Sequence, residues 1–165
     1  MTEPGIDPKL FRNALGKFPT GVTIITSKHG DEQIGMTISS FNSVSLNPPL
    51  ILWSIDKSAR SLPAFTDSKN FAVHVLADDQ QELSNLFARQ GADKFAAASI
   101  ETGIADVPLL TEYCARFQCE VEHQYDGGDH IIIVGRVLDF DVDEDKDPLV
   151  FHSGRYAQLV KAELV

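Results

Sequence analysis

Residues 22–56 contain three β-rich runs that glycine and proline interrupt before any of them reaches helix length, and this punctuation restricts the chain to short, turn-connected strands. Val22-Thr-Ile-Ile-Thr26 is β-branched throughout and follows the break at Pro19-Thr-Gly21, so it predicts a strand. His29-Gly-Asp-Glu32 predicts a hairpin loop, and the partner strand enters through Ile34 and Gly35. Asn47-Pro-Pro49 ends that partner, because proline cannot donate to a ladder and restricts the residue before it. Leu50 to Ile55 then resumes as a buried strand.

The same pattern continues downstream. Phe71 to Leu76 predicts a strand, and from Leu109 to Glu122 the residues Ala115, Phe117, Cys119 and Val121 fall on one face with Arg116, Gln118, Glu120 and Glu122 on the other. Asp126-Gly-Gly128 predicts a hairpin turn, Asp129 to Phe140 a further strand with Gly135 inside it, and Pro148 to Tyr156 a last strand and turn. Thr102 to Pro108 reads as irregular or as a short strand.

Helices are few. Leu10, Phe11, Ala14, Leu15 and Phe18 have helical spacing over Pro8 to Phe18, with Asp7 placed to cap. Leu62 to Ser68 predicts one or two turns broken near Pro63. A capping box of Asp79 and Glu82 opens a helix with the stripe Leu83, Leu86 and Phe87, closed by Gly91. Asp93 to Ser99, rich in alanine, is expected to be helical. Strands without regular strand–helix alternation predict a mainly β (α+β) fold, an antiparallel barrel decorated by peripheral helices, as a single domain over residues 1–165.

Composition narrows the functions. A formal net charge of −10 excludes a nucleic-acid partner unless basic residues gather on one face, and any anionic ligand must meet a local positive patch. The longest apolar runs, Pro48 to Trp53 and Ile131 to Val134, fall far short of the roughly 20 residues of a membrane-spanning helix. The acidic N-terminus lacks an export signal pattern, so a cytoplasmic location is expected. Cys114 and Cys119 would face opposite sides of a strand and stay unpaired. The 5 histidines are dispersed, and in the acidic stretch after Asp139 a calcium loop fails because Lys146 replaces the required glycine and His152 the bidentate glutamate. No GxGxxG, GxxxxGK, GxSxG or HExxH motif is present.

Chemistry concentrates in the stretch from Gly35 to Asp56. Thr37, Ser39, Ser40, Ser43 and Ser45 offer hydrogen-bond donors without bulk or charge, which suits a phosphate or a polar ring edge lying along a backbone, and equally suits a solvated edge strand. Asp56-Lys-Ser-Ala-Arg-Ser61 follows as a polar loop with Lys57 and Arg60, the candidate positive patch.

The ordered set Pro19-Thr-Gly-Val22, Gly35-Met-Thr-Ile-Ser-Ser-Phe41, Ser45-Leu-Asn-Pro-Pro49, Phe71-Ala-Val-His-Val-Leu76, Gly128-Asp-His130 and Pro148 to Tyr156 resembles the flavin reductase-like family, from about Phe11 to Tyr156. These are NAD(P)H:flavin oxidoreductases that act as reductase components of two-component flavin-dependent monooxygenases. The resemblance implies an FMN-binding split β-barrel, a homodimer, reduction of FMN or FAD by NADH or NADPH, and a separate oxygenase partner. It assigns Thr37, Ser39 and Ser40 to the flavin ring edge and its ribityl or phosphate groups. Ser54, Asp56, Ser58 and Ser61 continue that site, with Lys57 or Arg60 supplying charge. Phe87 and Arg89 are placed to pack against or pair with the far end of the cofactor.

His130 matches the family position near the nicotinamide and serves contact and orientation rather than general-base chemistry, since hydride transfer removes no proton from a heteroatom. Tyr156 is the second candidate on that side. His74 departs from the family, standing where Asn or Ser is expected. A competing function keeps the same barrel as a flavin-binding electron carrier or sensor without turnover. A pyridoxamine phosphate oxidase-like or heme-binding split barrel is a third reading.

Overall fold

The computed structural model describes residues 5–91 and 93–163. In chain order the elements are α1 (Pro8–Leu15), β1 (Thr20–Gly21), β2 (Thr23–His29), β3 (Glu32–Ile38), β4 (Asn42–Leu46), β5 (Pro49–Asp56), α2 (Leu62–Asp67), β6 (Asn70–Val75), α3 (Gln81–Ala88), β7 (Ile100–Thr102), β8 (Pro108–Leu110), β9 (Ala115–Gly127), β10 (His130–Val142), β11 (Val150–His152) and β12 (Arg155–Ala157). Single 3₁₀ turns lie at Phe95–Ala97 and Ile104–Asp106.

Seven strands make one antiparallel sheet in the order β3-β2-β6-β9-β10-β5-β4. Its two edge strands are consecutive in sequence. Residues 32–46 therefore act as one bent strand that pairs with β2 in its first half and with β5 in its second. The sheet is a barrel joined by that bend, with no continuous ladder across it. At the bend the Ser40 hydroxyl accepts the Ser54 N–H at 2.9 Å and lies 3.2 Å from the Ser54 carbonyl. The mainly β, antiparallel architecture with few helices is as expected from the sequence, and the sheet has no ladder between its edge strands β3 and β4.

The barrel interior holds Ile25, Ile34, Ile51, Trp53, Ile55, Phe71, Val73, Cys119 and Ile133, with Phe65 of α2 closing one end against Trp53 at 5.1 Å in an edge-on contact. Gly135 is needed there, since a Cβ would run into the Phe71 ring. A second cluster, Val22, Ile24, Leu76, Phe87, Leu110 and Leu149, lies between the outer face of β2 and the elements packed on it. Ile24 and Ile25, adjacent on β2, thus serve opposite cores, which explains the unbroken β-branched run.

Several local expectations change. Asp79 is not the cap of α3: it pairs with Lys146 at 3.1 Å, while Gln80 occupies the cap position and accepts the Ala77 N–H at 2.8 Å. The distant lysine competes successfully for a carboxylate that sequence alone assigns to the helix. Asp93 to Ser99 forms one 3₁₀ turn, because Phe95 packs edge-on against Phe87 at 5.2 Å and holds the segment to the sheet. Helix α2 is uninterrupted, since Pro63 sits in its first turn where no N–H is required. The β9–β10 hairpin turns at Gly128-Asp129, where Gly128 takes φ +77, one step beyond the predicted turn. Asp7 caps α1 as expected, but the helix ends at Leu15 and buries none of its apolar stripe.

Both cysteines are free: Cys119 faces the core, where burial pushes its thiol up to about 12, and Cys114 precedes β9 and donates to the Lys146 carbonyl at 3.4 Å. No helix among the described residues is long and apolar enough to cross a membrane.

Candidate functional site

The register of β5 and β10 places His130 directly across from Asp56, so the Asp56–Ser61 loop and the start of β10 form one mouth of the barrel. The same mouth contains Ser40 and Ser54, joined as described, and Ser61, whose hydroxyl donates to the Met36 sulfur at 3.8 Å. Asp56 holds the loop in shape by accepting both the N–H and the hydroxyl of Ser58 at 2.7 Å. These bonds, chiefly the backbone one, keep its carboxyl below the usual range. The Arg60 and Ser61 N–H groups have no acceptor among the described residues.

Charge in the mouth differs from expectation. The sequence predicts a positive patch at this loop, but the β9–β10 hairpin brings Asp126 and Asp129 alongside it. Lys57 pairs with Asp126, and its N–H donates to the Asp129 carbonyl at 2.9 Å. Lys57 is therefore spent on the hairpin, and Arg60 is the loop cation without an ion-pair partner among the described residues. Asp129 also accepts from His130 Nδ1 at 2.7 Å. Because the carboxylate can only accept, Nδ1 carries a proton and Nε2 is the acceptor left on the neutral ring.

Four assigned residues gather elsewhere, on the outer face of β3 where α3 packs. Thr37 donates to the Ser84 carbonyl at 2.6 Å. Tyr156 donates to Asn85 Oδ1 at 2.6 Å and so receives the hydroxyl proton of buried Ser84, 2.7 Å away. Tyr156 also packs edge-on against Phe151 and within the chain belongs to the α3 group. Phe87 is 0% exposed in the second core and has no surface for a cofactor, a correction to its assignment. Arg89, exposed at the end of α3, borders a cavity of about 600 Å³ with Glu82, Leu86, Leu110 and Glu112. Ser39 is exposed on the bend between the two groups, with no side-chain bond among the described residues.

His74 is fully buried and satisfied. Nε2 accepts the Leu110 N–H at 3.0 Å, so Nδ1 carries the proton and donates to the Ile24 carbonyl at 3.0 Å. Desolvation holds its pKa down to about 4. The polar contacts at this departure from the family are thus backbone contacts inside the barrel wall.

Sequence reasoning missed Ser84, Asn85, Lys94, Asp126 and Asp129. The only local signal was Asp129, adjacent to His130 in the quoted motif. The others depend on contacts between residues 47 to 71 positions apart in the chain, which no short window contains.

Comparison with known proteins gives the family of the chain. Residues 15–160 match the family model described as flavin reductase like domain. The chain is 46% identical to FMN reductase (NADH) SmoA of Agrobacterium fabrum strain C58, over 93% of this chain and 87% of that protein. It is 40% identical to HsaB, the reductase subunit of a flavin-dependent monooxygenase from Rhodococcus jostii RHA1, over 92% of this chain and 77% of that one. The NADH:FAD oxidoreductase SgcE6 of Streptomyces globisporus C-1027, solved in complex with NAD and FAD fragments, superposes with a TM-score of 0.88 at 34% identity, covering 96% of this chain and 98% of its own. With these likenesses over nearly its whole length, the chain belongs to the flavin reductase-like domain family.

Proposed function

We propose that the protein is an NAD(P)H:flavin oxidoreductase that reduces FMN or FAD and supplies the reduced flavin to a separate monooxygenase component. The observation that carries this reading is the ladder rung between Asp56 and His130, which sets a donor-rich loop opposite a histidine with one free acceptor. The residues of the mouth fit a flavin nucleotide: small hydroxyls at Ser40, Ser54, Ser58 and Ser61 leave room, and Arg60 with the Arg60 and Ser61 N–H groups offers unpartnered donors to a phosphate.

Flavin, when bound, accepts a hydride at N5 from a dihydronicotinamide. The chain's own work is placement. Asp56 fixes the loop through Ser58, so the Arg60 and Ser61 donors are presented without a reorganisation cost at binding. Asp129 fixes His130 as the Nδ1–H tautomer, leaving Nε2 to accept from the carboxamide N–H of a nicotinamide and orient its ring. No proton need leave or enter a side chain. Thr37 and Tyr156 hold α3 against β3 and so keep Ser39 at the seam; their hydroxyl donors are spent on α3.

A homodimer completes the site in this reading. Leu10, Phe11 and Leu15 of α1 and Phe18 just after it are 54–75% exposed, and Leu138, Phe140 and Val142 near the end of β10 are open as well, more apolar surface than a solitary copy keeps in water. The His130 mouth and the α3 group lie apart within one chain, and a two-fold partner can bring one group of each copy to the other. The protein works in the cytoplasm, where NAD(P)H and an oxygenase partner are available.

Anaerobic incubation with NADH or NADPH and excess FMN or FAD should bleach the flavin over many turnovers. Absence of turnover with every nucleotide pair would sink this function, and reduction that stops at one equivalent would favour the electron carrier.

A further inference from the structure

We infer that Lys94 is a positioning residue for the flavin, acting by fixing how closely α3 sits against β3. This rests on the flavin site proposed above. The side chain is half-buried, yet no carboxylate lies within ion-pair distance of it among the described residues. Among the described residues its ammonium donates to two carbonyls, Gly35 on β3 at 2.9 Å and Phe87 near the end of α3 at 3.0 Å. Burial without a counter-charge pulls its pKa below the usual lysine value.

Each carbonyl has a reason to need a donor. Phe87 belongs to the last turn of α3, whose carbonyls lack intrahelical partners and form the negative end of the helix dipole. Gly35 lies on a strand with a neighbour on one side only. A lysine with two donors aimed at two elements is therefore a clasp between them. The surroundings show how tight the clasp is. A Cβ on Gly35 would sit 2.7 Å from the Phe87 ring and 3.1 Å from the Phe95 ring, so β3 and α3 meet at the minimum separation that glycine allows. Lys94 also stands 6.0 Å from the Phe87 ring centroid, on the same contact.

Two residues along β3 the second stitch occurs, Thr37 to Ser84. Between them the two stitches set the distance and the register of α3 on β3. Ser39 follows directly on one side of the paired segment and Arg89 on the other. An apolar side chain would fill the position at lower desolvation cost, so the charge is retained for its geometry. Loss of the clasp lets α3 lift from β3, and the part of the seam at Ser39 and Ser40, where the flavin ring lies in this reading, loosens, while the rung between Asp56 and His130 on β5 and β10 keeps its shape.

The test uses the full-length protein with Lys94→Met, Lys94→Arg and Gly35→Ala, measuring flavin Kd by fluorescence quenching and the KM for flavin and for NADH separately. Lys94→Met is expected to raise flavin Kd and flavin KM about tenfold, the effect of one or two lost charge-assisted hydrogen bonds, with NADH KM within about twofold. Lys94→Arg, which can still donate to both carbonyls, should recover most of the loss. Gly35→Ala, which forces the same elements apart without touching the charge, should reproduce the flavin-selective defect; it also answers the question if Lys94→Met does not fold. Flavin Kd unchanged in Lys94→Met or in Gly35→Ala, or NADH KM rising in step with flavin KM, overturns the role. A wild-type protein that neither binds nor reduces flavin overturns the proposed function along with it, whereas an active wild type with an unaffected variant overturns the role of Lys94 alone.

Discussion

Acidification below neutrality should destabilise this protein, and the cause is His74. Its ordinary pKa of 6.5 applies to the unfolded chain, while burial and two backbone partners hold the folded value at about 4. The folded state thus binds fewer protons than the unfolded state between these values, so stability falls as pH drops through 6.5 and levels off below 4. The full shift corresponds to about 3 kcal/mol, of which about 2 kcal/mol is lost between pH 7 and pH 5. Asp56, Asp126 and Asp141 also have lowered folded pKa values, but their ordinary value is 3.8 and their contribution is lost only below about pH 4, outside this window. Urea melts at pH 7 and pH 5 should show the drop at constant slope, equivalent to roughly 4–8 °C in Tm. His74→Asn keeps a donor for the Ile24 carbonyl and strands the Leu110 N–H, so it should be less stable at pH 7 and show little further loss at pH 5. A wild type equally stable at both pH values, or a His74→Asn protein that loses as much as wild type, would refute the assignment of the acid sensitivity to this ring.

Ser40→Ala leaves the half-buried Ser54 N–H without its acceptor and should cost about 1–2 kcal/mol in a thermal or urea melt as well as weakening flavin binding, whereas Ser39→Ala should change stability by less than about 0.5 kcal/mol. Equal melts for the two would remove the seam bond from the fold. Arg60→Gln should weaken flavin binding in a salt-dependent way, and Lys57→Gln should do so less, because Lys57 is already paired with Asp126. The reverse order in flavin titrations at two ionic strengths would return the phosphate to Lys57. His130→Ala should raise the KM for NADH more than it raises flavin Kd, and unchanged values of both would take His130 out of the site.

Much of the fold could be read from residues whose causes are local. The β-branched run at Val22–Thr26, the Asn47-Pro-Pro49 break and the alternation from Ala115 to Val121 each specify a strand or its end without reference to anything distant. The failures share the opposite property. Asp79 looked like a cap because Glu82 stands three residues on, and lost that role to Lys146, 67 residues away. The Asp56–Ser61 loop looked cationic because Asp126 and Asp129 come from a hairpin that only tertiary pairing brings near. Phe87 was correctly placed on an apolar helix face, but periodicity cannot say whether that face meets a ligand or a glycine on the neighbouring strand. Charge balance and burial at a site are sums over distant segments, and a single sequence supplies the addends without the neighbours.

The hydroxyls of residues 37–40 are now separable, and their division explains why the site lies where it does. A barrel closed by bending one strand, rather than by pairing two, leaves backbone groups at the bend without ladder partners. Short hydroxyl side chains can satisfy such groups without filling the seam: Ser40 does so for the Ser54 N–H of β5, whereas Thr37, inside the paired part of β3, spends its hydroxyl on the Ser84 carbonyl of α3. Ser39, between them, has nothing to satisfy and faces outward. The enrichment in Thr and Ser is therefore first a consequence of closing the barrel this way, and the same open seam, rimmed by small polar groups and flanked by Arg60 and His130, is what a flat, polar-edged ring system can use. A closed ladder at this corner would have been more protected and would have left no donors to offer.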